Sequence, residues 1–160
     1  MSEGAPRPLV ESRHSLSGLE FFQRMVAGEL KPPPMVSLLG LRITEAEAGR
    51  VVFTGTAIEE FYNGLGVAHG GWAATLLDSA LGCAINTLQP AGRMFTTLEL
   101  KINYTRPITR EAGEMRCEAT VLYSGNRTAT ADARVVGRDG KLYAHATTTC
   151  IVVPDRQDRT

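Results

Sequence analysis

The 160-residue chain carries no excess charge of either sign, because its 17 Lys and Arg residues are matched by 17 Asp and Glu. A neutral chain has no long-range field to concentrate polyanions, so nucleic acid and anionic membrane surfaces are not expected partners, and any anionic ligand must be held by local groups. Cysteine is scarce and unpaired in pattern: Cys83, Cys117 and Cys150 are an odd set, far apart, with no C-x-x-C spacing. That argues against a disulfide framework or a thiolate metal site and fits the reduced thiols of a cytoplasmic protein. His14 and His145 have no partners at ligand spacing, so no metal is expected. No apolar run approaches the roughly 20 residues of a membrane span, and the first residues lack the basic-then-apolar layout of a leader. Helix-turn-helix patterning and a basic patch are also missing, which counts against a transcriptional sensor.

What is present is one respectable core. A hydrophobic content of 43% over this length suits a single domain. Residues 1–16 and 154–160 are polar or aperiodic and read as tails, leaving a domain over 17–153. Within it, 17–34 is expected to form an outer helix and a linker, the helix capped by Ser17, carrying Leu19, Phe22, Met25 and Val26 on one face and stopping near Gly28, and the linker holding the breaker Pro32-Pro33-Pro34. Met35 to Leu39 reads as a single turn. Leu41 to Ala48 and Arg50 to Ile58 then read as a hairpin, and Met94 to Tyr104, Glu114 to Tyr123, Thr128 to Val136 and Leu142 to Val153 as further strands. The one long helical signal covers 69–88. It is apolar nearly all round and rich in small residues, Cys83 among them as packing, so a sheet is expected to wrap closely about it. The class is α+β, with about six antiparallel strands around one long central helix.

The most informative stretch runs from Asn63 through His69-Gly70-Gly71 to Asp78. The two glycines let backbone approach a ligand, and a helix starting there aims unpaired N–H groups at developing negative charge. Asp78, flanked by Leu76, Leu77, Ala80 and Leu81, supplies a poorly solvated carboxylate. An oxyanion clamp and a poised carboxylate are the minimum equipment for hydrolysing an activated acyl group.

These residues, together with Thr96-Thr97-Leu-Glu-Leu-Lys-Ile-Asn-Tyr104-Thr-Arg106-Pro107 and the closing alternating strands, resemble the PaaI-type branch of the hotdog acyl-CoA thioesterases over roughly residues 35–152. The resemblance implies a hotdog fold, dimers that pair into tetramers, and an acyl-CoA substrate with no dissociable cofactor. It implies Asp78 as general base or nucleophile, the Gly70 N–H as carbonyl polariser, Asn63 as the amide orienting acid or water, and Thr97, with Thr96 as runner-up, as the assisting hydroxyl. His69 joins the catalytic candidates as part of the triplet, although a backbone-bonding role that fixes the turn is expected of it. Gly71, Phe61 and Trp72 are candidate pocket residues, the aromatics being equally readable as core. Arg106, Arg127, Lys101 and Ser124 are candidate contacts for the coenzyme A phosphates, with the Ser124-Gly125-Asn126-Arg127 turn preferred.

Helix geometry adds an independent expectation. Nine residues advance about 13 Å and rotate roughly 900°, so His69 and Asp78 lie on opposite faces, and Gly70 lies about 12 Å from Asp78 along the axis. Two antiparallel copies about a two-fold would join the halves, predicting a homodimer with shared sites. The acyl group, aryl or fatty, is not readable. Two rivals stand beside hydrolysis: a hotdog enoyl-thioester hydratase or dehydratase, and an acyl-CoA-binding protein without turnover.

Overall fold

The computed structural model describes residues 15–154. Of the expected tails 1–16 and 154–160, residues 1–14 and 155–160 lie outside the described residues; Leu16 instead packs against the core, and Pro154 ends the last strand. Helix α1, Gly18–Val26, forms where Ser17 and Glu20 make a reciprocal capping box, and it buries Phe21, Phe22 and Met25. Pro34 opens the short α2, Pro34–Leu38. The remaining elements are β1 (Leu41–Glu47), β2 (Arg50–Gly55), a 3-10 turn (Glu59–Phe61), α3 (Gly70–Thr87), β3 (Arg93–Tyr104), a second 3-10 turn (Arg110–Ala112), β4 (Met115–Ser124), β5 (Thr128–Val136) and β6 (Leu142–Pro154). The expected second strand stops early: its last three positions leave the ladder and lead into the 3-10 turn.

All six strands form one antiparallel sheet in the order β1-β2-β4-β5-β6-β3, curled around α3. Alanines at 129, 131, 133, 144 and 146 face inward and are buried, which lets the sheet close tightly on Leu76, Leu77, Leu81 and Ile85 of the helix. The α3 C-terminus is tied to the first hairpin, where Gly49 takes φ of 77° and donates its N–H to Thr87 Oγ1 at 2.8 Å. One stripe of α3 is less enclosed than its composition suggests. Ala74, Thr75, Asp78, Ser79 and Cys83 are only half-buried in the single chain.

Strand β3 occupies an edge of the sheet and pairs only with β6. Its register with β6 shifts between Thr97 and Glu99, leaving Leu98 as an extra, exposed residue. A bulge of this kind reverses which residue numbers face inward. Before it, Phe95 and Thr97 face α3; after it, Leu100, Ile102 and Tyr104 do.

Candidate active site

The His-Gly-Gly triplet sits at the mouth of α3. His69 is the N-cap, and its Nδ1 accepts the Gly71 N–H at 2.9 Å while its own N–H donates to Phe61 O at 2.8 Å. The imidazole thus fixes the turn, as its expected backbone-bonding role requires, and the Gly71 N–H, a candidate substrate contact, is spent on it. Gly70 begins the helix, so its N–H has no intrahelical acceptor, and it has no protein partner among the described residues. The Gly70 carbonyl accepts the Tyr104 phenol at 2.9 Å. A Cβ at Gly70 would stand 3.2 Å from the Tyr104 ring and hydroxyl, which is why a side chain is not accommodated there without movement.

These groups border a cavity of about 320 Å³ whose lining includes Asn63, Gly70, Tyr104, Arg106, Ile108 and Tyr143. Asn63 Oδ1 accepts the Leu65 N–H at 2.9 Å, closing an Asx turn and leaving the side-chain NH2 as the donor at the cavity. Arg106 Nη1 donates to Leu142 O at 2.8 Å, so this guanidinium braces the loop after β3 as well as facing the cavity. Partial desolvation where the phenol meets the first turn of α3 holds Tyr104 above the usual tyrosine range, although the residue as a whole is exposed at the sheet edge. Tyr104 belongs to the Tyr-x-Arg-Pro stretch, but residue pattern alone does not place it at the site, because its inward aim depends on the bulge.

The second half of the site lies further along α3. Thr97 Oγ1 donates to Asp78 Oδ1 at 3.0 Å, which orients the carboxylate and leaves Oδ2 without a hydrogen-bond partner among the described residues. Thr96, the adjacent candidate, is exposed on the opposite face of β3. Behind Thr97 lies Cys150, its cross-strand partner, fully buried, with Sγ donating to Thr97 Oγ1 at 4.0 Å. Burial pushes the Cys150 thiol up, so it stays protonated. Within one chain the two halves stay apart: Gly70 and Asp78 are about 12 Å from each other along the helix axis.

Several other candidates are not gathered here. Trp72 is 3% exposed and donates from Nε1 to Leu39 O at 3.2 Å, which makes it a core anchor. Phe61 is half-buried against the core in the 3-10 turn before the triplet. Ser124 and Arg127 are exposed at the β4–β5 turn, where the Gly125 N–H is used by Thr128 O and the Arg93 Nη1 donates to Asn126 O at 3.3 Å. That turn is beside the start of β3, at the opposite end of the strand from Tyr104. Among the described residues no three His, Cys, Asp or Glu side chains cluster at metal-ligand spacing, and no helix is long and apolar enough to cross a membrane.

A sheet curled on one central helix, with a carboxylate on that helix and an unpaired N–H at its start, defines a hotdog protein built for acyl-thioester chemistry. The thioesterase superfamily profile matches residues 65–144. A proposed esterase of Saccharolobus solfataricus is 32% identical over 116 residues, covering 72% of this chain and 81% of that protein. Among solved structures, a proposed thioesterase of Ralstonia eutropha related to phenylacetic acid degradation aligns with a TM-score of 0.74 and 29% identity, over 81% of this chain and 98% of that one. A mutant of the phenylacetic acid degradation protein PaaI of Thermus thermophilus aligns with a TM-score of 0.68 and 32% identity, over 74% and 98%. The chain belongs to the thioesterase superfamily, in its PaaI-type hotdog branch, and is a hydrolase of thioesters.

Proposed function

We propose that the protein is an acyl-CoA thioesterase, acting on an aryl- or fatty-acyl-CoA at sites shared across a homodimer. The observation that carries the reading is the Asp78 carboxylate, half-buried on an otherwise uncharged helix and held by one oxygen through Thr97. With Oδ1 held, Oδ2 takes a proton from water as the hydroxyl oxygen adds to the thioester carbon. The Asn63 amide orients the attacking water, and the Gly70 N–H, aided by the helix dipole, receives the oxyanion. Collapse breaks the C–S bond, and the proton gained by Asp78 passes to the departing thiolate, giving free acid and coenzyme A. Direct attack by Asp78 uses the same oxygen and would pass through an anhydride, so both routes need the same residues. No cofactor is required.

The dimer supplies the missing proximity. Strand β3 is a 12-residue edge with one side unpaired, and exposed Leu98 and Tyr104 lie on it. Such an edge is a template for a second strand. Two copies pairing antiparallel about an axis midway between Thr97 and Tyr104, that is between Leu100 and Lys101, would set Asp78 of the partner subunit opposite Gly70 and Asn63. The half-buried stripe of α3 would be covered in the same step. Pairing of dimers into a homotetramer, cytoplasmic location, and phosphate contacts from Arg127, Ser124 or Arg106 belong to the same reading. The hydratase alternative needs a His-acid pair, and His69 Nδ1 is committed to the Gly71 N–H.

The test is thiol release from a panel of aryl- and alkyl-acyl-CoAs by wild type and Asp78→Asn. Hydrolysis by the first, and a loss of roughly a thousandfold in the second with its assembly intact, supports the reading. Absence of release from every substrate by wild type, with an enoyl chromophore gained or lost, would transfer the site to hydration chemistry.

A further inference from the structure

We infer that Tyr104 is a positioning residue of this site, its phenol holding the first turn of α3 so that the Gly70 N–H stays presented at the cavity; this rests on the thioesterase reading. Three observations converge on it. The phenol donates to the Gly70 carbonyl at 2.9 Å. The ring lies over the Gly70 Cα, at 3.2 Å from where a Cβ would be, so glycine and tyrosine fit as a pair. Both residues line the 320 Å³ cavity with Asn63.

The arrangement clamps the triplet from both sides. His69 Nδ1 ties down the Gly71 N–H, and Tyr104 ties down the carbonyl of the same Gly70–Gly71 peptide. The preceding His69–Gly70 peptide, which carries the unpartnered N–H, accepts the Trp72 N–H at its own carbonyl at 2.9 Å, and the clamp on the Gly70–Gly71 peptide fixes its other end. Two consecutive glycines would otherwise leave this turn the most pliable backbone of the site. A preorganised donor stabilises an oxyanion because nothing must reorient as charge develops. Tyr104 acts on the substrate through Gly70, and its effect is expected on the carbonyl oxygen alone.

Tyr104→Phe keeps the ring and removes the donor. For wild type, Tyr104→Phe and Asp78→Asn, the experiment measures steady-state hydrolysis of an acyl-CoA that wild type turns over, the melting temperature, and binding of two inert probes. One probe is an S-alkyl-CoA thioether without a carbonyl; the other is the matching S-(2-oxoalkyl)-CoA ketone. The expected result in Tyr104→Phe is a kcat lower by about tenfold to a hundredfold, KM and thioether binding within about twofold of wild type, and loss of the ketone's advantage over the thioether. The proposal is overturned if kcat stays within about twofold, or if the melting temperature and thioether binding fall in step with activity, as packing alone would produce. If Asp78→Asn is inactive and Tyr104→Phe matches wild type, the Tyr104 role fails and the thioesterase reading stands. If wild type hydrolyses no thioester, both fail.

Discussion

Thr97 and Tyr104 face the same helix although an odd number of positions separates them on one strand. Regular alternation would set them on opposite faces; the extra residue at Leu98 cancels the difference, so that Thr97 reaches Asp78 and Tyr104 reaches Gly70. Deleting Leu98 is therefore expected to cost thioester hydrolysis about a hundredfold or more, because one of the two hydroxyls must leave the inner face. Leu98→Ala retains the extra residue and should lose far less. A deletion variant as active as Leu98→Ala would show that the bulge does not aim the site.

Sharing of sites between subunits predicts complementation. Asp78→Asn and Gly70→Pro homodimers should both be inactive, the second because proline at the first helical position removes the N–H and its Cβ also crowds the Tyr104 ring. Mixed dimers would contain one site free of both changes and are expected to recover up to about half of the activity per active site pair. Purified mixed dimers with no activity would count against the shared arrangement.

Acid should weaken the outer face of the sheet. Glu118, placed between Arg50 at 3.0 Å and Arg116 at 2.6 Å, is held at about 2, first by the Arg50 hydrogen bond and then by Arg116, and Glu45 is lowered by Arg50 in the same network. A carboxylate with a depressed folded-state value contributes stability that is present above its ordinary range near 4.5 and lost as pH falls towards 2. Because the Glu118 and Glu45 carboxylates are more than a third exposed, solvent screening limits the contribution to about 1 kcal/mol or less. Glu118→Gln should flatten the melting-temperature profile between pH 5 and 2.5, on an approximate scale set by that range; an unchanged profile would show the network to be inert.

Gly18 marks where the N-terminal helix joins the core. Its N–H donates to Gln89 O at 3.0 Å, and a Cβ there would meet the Asn86 carbonyl oxygen at 1.7 Å. Gly18→Ala must displace α1 from the end of α3 and is expected to destabilise by about 2–3 kcal/mol. That corresponds to a melting temperature lower by roughly 5–10 °C. A shift under about 2 °C would mean that α1 adds little to the fold.

Much of the architecture was legible in the residues themselves. The helix expected over 69–88 is observed as Gly70–Thr87 with His69 as its cap, because a cap, two glycines and an all-round apolar run are local signals. Alternation marked the strands for the same reason: residues two apart share a face whatever lies elsewhere in the chain. The candidates Asn63, Gly70, Asp78 and Thr97 came from their spacing and from family likeness. What the linear order could not decide was contact across the sheet. Strand β3 follows α3 in sequence yet lies beside β6 on the far edge, its residues 40 to 61 positions from their partners, and only that register fixes which threonine meets Asp78. The Leu98 bulge has no residue-type signature, since any residue can be the extra one, and it alone turns Tyr104 towards Gly70. Local chemistry determined the elements and the reactive groups; the direction in which those groups point was settled by long-range pairing, whose energy depends on partners that no short segment contains.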